Sequence, residues 1–370
     1  MRSIGKVILT YILIGAICFA AGASVVYYAM YVPATAKRER VLVVATWGGT
    51  WHDAAKKIAD AFSERYGVRV ILTTFHVFLG DVVPKIVAEM PNPSIDVVFL
   101  SLEHLPTCME KHILAPLDEA KVPNVKDYPD VVKWIEDGKT YAVGIYTYAY
   151  VIAYRTDYVK EPIDEVRDLF REDLKGKVAA TSPRYGVGNW PVYFALANGG
   201  DEHHIDKGFE LFKEMAKAGV FGTIVHDDAS ISRVISTGEA WVAMGITGNF
   251  YPLHKEGIPI AIVKKPKDVP KVVIGWDGIA VVNGPRKELA MEFVNFALSA
   301  EQASIYCDTV GFIPNNPKAK IYNKELLDWN LSPEEVAKYG YTPDVRYKAK
   351  HWEEWISRWE DEIAPLITGG

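Results

Sequence analysis

The residue types that bind metal ions cluster twice in this chain, as His203-His204 and Asp227-Asp228, and both pairs resemble ligands by composition alone. The histidines read as solvated surface, no adjacent tyrosine pair occurs after Lys37, and no metal site is expected. Catalytic signatures are missing as well. There is no G-x-S-x-G nucleophile turn, no H-E-x-x-H helix and no G-x-x-x-x-G-K-[ST] phosphate loop. Gly186-Val187-Gly188 lacks the third glycine of a dinucleotide fingerprint. The expectation is therefore a protein that is not an enzyme and carries no cofactor. Side chains suited to reversible capture stand where strands end: Trp47, Ser101 and Glu103 follow apolar runs, and Thr247 and Asn249 follow another. Glu103 would serve equally as a helix cap. Tyr146 and Tyr148 alternate with Thr147, so one set faces a cleft and the other the core. Twenty tyrosines and ten tryptophans suit a site that grips its ligand with ring faces, although most rings must be core.

These residues are held by alternating strand and helix signals. Val41 to Thr46 reads as a strand, followed by Trp47-Gly48-Gly49-Thr50 and a helix capped by Thr50, with Ala54, Ile58, Phe62 and Tyr66 on one face and Gly67 at its stop. Strands over Val68 to Thr74 and Ile95 to Leu100 repeat the pattern. Such alternation predicts an α/β architecture with a mainly parallel sheet, and ligands then sit beyond the carboxyl ends of strands. Tyr141 to Tyr154 and Val272 to Val282 read as crossings, with a second series of strands and helices between them. The chain thus leaves one lobe, builds another and returns: 41–147 plus 274–370 form the first lobe and 148–273 the second. Near the end, Trp352, Trp355, Ile356, Trp359 and Ile363 recur at helical spacing and predict a core-facing seam.

From Val7 to Val32 no residue is charged, a run longer than the roughly 20 residues that cross a bilayer. Residues 1–36 are expected to be a transmembrane anchor or, with Ala34-Thr35-Ala36 as a cleavage site, a secretory signal. Either way the remainder is exported, to the outer face of the membrane or the periplasm. About 330 residues remain, more than one core usually supports. A net charge of −6 with no basic block argues against a nucleic-acid partner. Cys108 and Cys307 read as two buried thiols rather than a disulfide.

Trp47-Gly48-Gly49, Leu174 to Val178, Ala195-Leu196-Ala197-Asn198-Gly199-Gly200, Thr237-Gly238-Glu239, Gly275-Trp276-Asp277-Gly278 and Gly311-Phe312-Ile313-Pro314-Asn315 occur in this order. Over residues 41 to 325 the chain resembles the extracellular solute-binding proteins of ABC importers, in the spermidine/putrescine-binding branch and its thiamine- and iron-binding relatives. The resemblance implies a two-lobed type II periplasmic-binding fold with a hinge of crossing strands. It also implies a monomer that hands a small solute to an ABC transporter permease and its ATPase; a membrane-tethered ligand sensor is the alternative. By the same resemblance Trp47 matches a cleft aromatic and Asp277 the acid that meets an ammonium group. Trp276 adjoins a second aromatic position, occupied here by Gly275, while Glu103 falls where relatives carry a tyrosine and Phe312 where they carry another aromatic. Carboxylates would neutralise an amine while ring faces hold its cation, at about 0.5 to 2 kcal/mol per contact. Ser182-Pro183-Arg184-Tyr185 replaces a stretch of further acids. Tyr185, Gly188, Asn189 and Trp190 would then surround a shorter ligand, or one with an aromatic or anionic part, as in thiamine and phosphonate binders.

Overall fold

The computed structural model describes residues 40–75, 82–186 and 188–369. The expected anchor or signal at residues 1–36 lies outside the described residues. Among those that are described, no helix is long and apolar enough to cross a membrane. Leu42–Gly370 forms one compact unit.

Among the described residues eleven strands build the sheet: β1 Arg40–Trp47, β2 Val68–Phe75, β3 Val97–Ser101, β4 Lys133–Glu136, β5 Lys139–Arg155, β6 Val178–Thr181, β7 Phe221–Val225, β8 Val242–Ile246, β9 Ile260–Val263, β10 Val272–Val281 and β11 Gly340–Tyr341. Their order is β2-β1-β3-β10-β5-β8-β6-β7, with β4 and β9 also on β5 and β11 on β10. Parallel pairs β1–β3 and β6–β7 sit in the two halves. Every residue of β10 is buried, as befits a strand covered on both faces.

The two expected crossings are β5 and β10, and they pair antiparallel. Strand β5 is long enough to serve both halves of the sheet: Ala142 to Ala149 pair with β10, and Tyr150 to Tyr154 pair with β8. A β-bulge between Asp277 and Gly278 interrupts the β10 ladder. The extra residue is Ile145 of β5, between the partners of Asp277 and Gly278, and the strand that carries it bends there.

Local signals hold well in the first unit of strand and helix. The helix Thr50–Tyr66 buries Ala54, Ile58 and Phe62, and Gly67 ends it in the left-handed conformation. Its N-cap is Gly49 rather than Thr50, at φ 62° and without a side-chain cap bond. That is backbone a glycine adopts freely. Tyr66, expected on the buried face, is exposed. The helix Thr247–Lys255 was not expected, because Gly248 and Pro252 inside it mask its periodicity. Cys108 and Cys307 are buried free thiols.

The C-terminal helix Val345–Glu362 buries Trp355, Ile356 and Trp359, with Ile363 just beyond, so these four face the core, while Trp352, expected with them, is only half-buried. Sequence order places this helix with the first lobe, but it reaches further. Trp359 packs edge-on against Phe212 at 4.9 Å, and Lys213 bonds Glu362 at 2.7 Å. At the other end Lys348 approaches Glu103, which follows β3.

Candidate functional site

Strand ends converge on a cavity of about 530 Å³. Trp47 closes β1, Ser101 closes β3 and Glu103 lies in the 3-10 turn after it. Across the ladder, Asp277 of β10 stands opposite both Ser101 of β3 and Tyr146 of β5. Tyr148 and Tyr150 follow Tyr146 at the period of two that keeps side chains on one strand face. The opposite wall comes from the loop after β6 with Tyr185, the first turn of the helix Asp228–Thr237, Ile246 at the end of β8, and Gly248 and Asn249 in the helix that follows.

Of the residues proposed from sequence, Trp47, Glu103, Tyr148, Tyr185, Asn249 and Asp277 line this cavity. The other five stand outside its lining, each for a packing reason. Tyr146 is buried beneath it, stacked on Phe312 at 4.4 Å with 10° between planes. Its hydroxyl donates to Asp277 Oδ2 and accepts from Trp51 Nε1 at 2.6 Å, so it acts on the site through Asp277. Phe312 backs the wall at Gly248, where an added Cβ would meet its ring at 3.1 Å. Trp276 alternates with Asp277 and turns to the other face, its ring 2.9 Å from where a Cβ on Gly144 would sit. Thr247 donates to the Trp329 carbonyl at 2.9 Å. Asn189 is buried one layer behind Glu103 and Tyr150.

The structure adds Trp51, Phe75, Tyr150, His104 and Asp228. Tyr150 continues the tyrosine alternation, and Phe75 ends β2, so both were within reach of the period-two and strand-end rules. The Asp227-Asp228 pair divides its work. Asp227 caps the helix, accepting from Ser230 N at 2.7 Å, while Asp228 enters the site and accepts from Tyr185 at 2.8 Å and Asn249 Nδ2 at 2.5 Å. The Asp-x-x-Ser spacing of a capping box was the signal that separates them. Tyr148 fills the space beside Gly275, where an added Cβ would lie 2.5 Å from its hydroxyl.

Electrostatics single out an anionic, aromatic pocket. Among the described residues that line it there are three carboxylates, from Glu103, Asp228 and Asp277, six aromatic rings besides His104, and no lysine or arginine. Burial pushes the Asp277 carboxyl up to about 7, against the pull of the Ser101 and Tyr146 hydroxyls, and Glu103 and Asp228 raise it further. Its Oδ1 is buried without a hydrogen-bond partner. An orphaned buried acceptor of this kind is costly until a donor arrives. Burial also raises the Asp228 carboxyl and lowers His104 to about 4, leaving that imidazole neutral. Trp47 packs against Phe75 with ring centres 5.7 Å apart, and Tyr148 meets Tyr150 edge-on at 5.9 Å.

Behind this wall is a second polar layer. Glu103 accepts from Tyr148 at 3.0 Å and from Asn189 Nδ2 at 2.8 Å. Lys348 of the C-terminal helix donates to Asn189 Oδ1, and its Nζ lies 3.8 Å from Glu103.

Residues 57–339 match the family described as bacterial extracellular solute-binding protein. The spermidine/putrescine-binding periplasmic protein of Escherichia coli K12 is 22% identical over 312 residues, covering 81% of this chain and 87% of the relative. Among solved structures, an ABC transporter protein from Clostridium perfringens superposes with TM-score 0.69 at 23% identity, covering 87% of this chain and 99% of that one. A protein described as a putative extracellular solute-binding protein, from Bordetella parapertussis, gives 0.72 at 19% identity, covering 88% and 99%. These likenesses carry the two-lobed fold expected from the sequence.

Proposed function

This chain belongs to the family of bacterial extracellular solute-binding proteins, and we propose that it captures a small organic amine of polyamine type and delivers it to the permease of an ABC importer. The observation that carries the amine is the cavity lining: three carboxylates among six aromatic rings, with no lysine or arginine among the described residues. A primary ammonium donates three hydrogen bonds and no acceptor is required of it, which suits Asp228 and the unpartnered Asp277 oxygen. Methylenes between ammonium groups would lie on the ring faces. A phosphonate or carboxylate ligand would instead meet like charge in a desolvated site, which strongly disfavours it. The names of the relatives point the same way.

In this reading the first lobe holds 41–147 and 274–370, the second holds 148–273, and the helix Val345–Glu362 touches both. The apolar run Val7 to Val32 would direct export, leaving the binding lobes at the outer membrane face or in the periplasm. The test is calorimetric titration of the purified full chain at pH 8 with putrescine, spermidine, thiamine, methylphosphonate and glucose. Saturable binding of putrescine or spermidine, with neither methylphosphonate nor glucose bound, is expected. Binding of methylphosphonate or glucose without any amine would overturn the reading, and thiamine alone would redirect it to an aromatic cation.

A further inference from the structure

We propose that Lys348 is a built-in ammonium that neutralises Glu103 from behind and so limits how many positive charges the cleft accepts from its ligand. The inference rests on the amine reading and deepens it to a specificity-determining position. Lys348 is wholly buried, as is Asn189, and Glu103 is nearly so. Its Nζ donates to Asn189 Oδ1 and stands 3.8 Å from Glu103 Oε1, while Asn189 Nδ2 binds the same Glu103 oxygen at 2.8 Å. The three side chains come from the turn after β3, the helix Asn189–Ala197 and the C-terminal helix.

A buried ammonium is retained only where an anion and hydrogen bonds compensate it. Burial draws Lys348 down to about 8, opposed by Glu103 and Glu202, so it stays protonated at neutral pH. Of the three carboxylates on the cavity wall, Glu103 is then already countered from within the protein. Asp228 and Asp277 remain for the ligand. That arithmetic favours a solute with two positive charges over one with three. Lys348 also lies beyond residue 339, where the family match ends.

Lys348→Met would release the Glu103 carboxylate to a ligand ammonium. The experiment measures the ratio of spermidine to putrescine affinity by titration of the full chain at pH 7, in the wild type and in Lys348→Met. An increase of tenfold or more in that ratio is expected. In the double variant Lys348→Met with Glu103→Gln, where no carboxylate is released, the increase should vanish. Removing one member of a buried pair can prevent folding; in that event the ratio is read in Lys348→Gln, which keeps a donor for Asn189. A ratio within twofold of wild type in a folded single variant overturns the proposal, because a merely structural lysine would leave selectivity untouched. So does an increase that persists in the double variant. Failure of the wild type to bind either amine would overturn the amine reading itself, and this inference with it.

Discussion

Asp277→Asn is expected to weaken putrescine binding by roughly 1.5 to 3 kcal/mol at pH 8, the size of a hydrogen bond to a charged partner. The carboxylate oxygen without a partner in the free protein is the acceptor that an ammonium would satisfy. An amide keeps the shape and loses the charge. The same substitution should change the pH behaviour, and the sign follows from linkage. The Asp277 carboxyl titrates near 7 when folded against 3.8 for the ordinary group, so the native state holds its proton more tightly than the unfolded chain. Its contribution to the stability of the free protein is present at low pH and is lost as pH rises from about 4 through 7. Asparagine cannot ionise, so the variant should melt higher than wild type at pH 8 and alike at pH 4. Amine affinity runs the other way. Binding needs the ionised carboxylate, so wild-type affinity should fall by up to about tenfold per pH unit below 7, and the share due to Asp277 should disappear in the variant. Melting curves and titrations at pH 5, 6, 7 and 8 check both. A variant that binds putrescine within twofold of wild type at pH 8 would remove Asp277 from the site.

Gly278→Ala should be the most damaging single methyl in the site's framework. A Cβ there would lie 2.1 Å from the Val143 carbonyl oxygen and 2.6 Å from its carbon, both backbone atoms of the paired strand. Neither can rotate away, so β10 and β5 must separate at the bulge beside Asp277. Overpacking of a close-packed interior typically costs about 1 to 3 kcal/mol, and a backbone clash belongs at the upper end. The expected result is a lowered urea midpoint together with loss of putrescine binding. A midpoint equal to wild type would show that the two strands do not approach each other this closely.

Much of the framework was legible in the residues because the signals are local. The apolar run of β1, the helix beginning after Gly49 and the stop at Gly67 all depend on neighbours within a turn or two. The two crossings announced themselves as long aromatic and β-branched runs, and the tryptophan spacing of the C-terminal helix marked its buried side. The position of Trp47 and Glu103 at strand ends followed from the architecture alone. Where local signals failed, the reason is specific: Thr50 looked like a cap, yet the positive φ at Gly49 moved the helix start by one residue.

What the chain determined by itself is therefore the alternation of elements, the crossings and the class of site: strand ends, acids and rings. Which member of each local pair does the work was decided by tertiary packing. Asp277 faces the cavity and Trp276 does not; Asp228 enters it while Asp227 caps a helix; Tyr148 and Tyr150 line it while Tyr146 holds Asp277 from below. The pairing of Lys348 with Glu103 and Asn189 joins three segments far apart in sequence. No periodicity or propensity encodes such a contact, because it exists only once the sheet and the C-terminal helix have packed, and burial then makes the charges depend on one another.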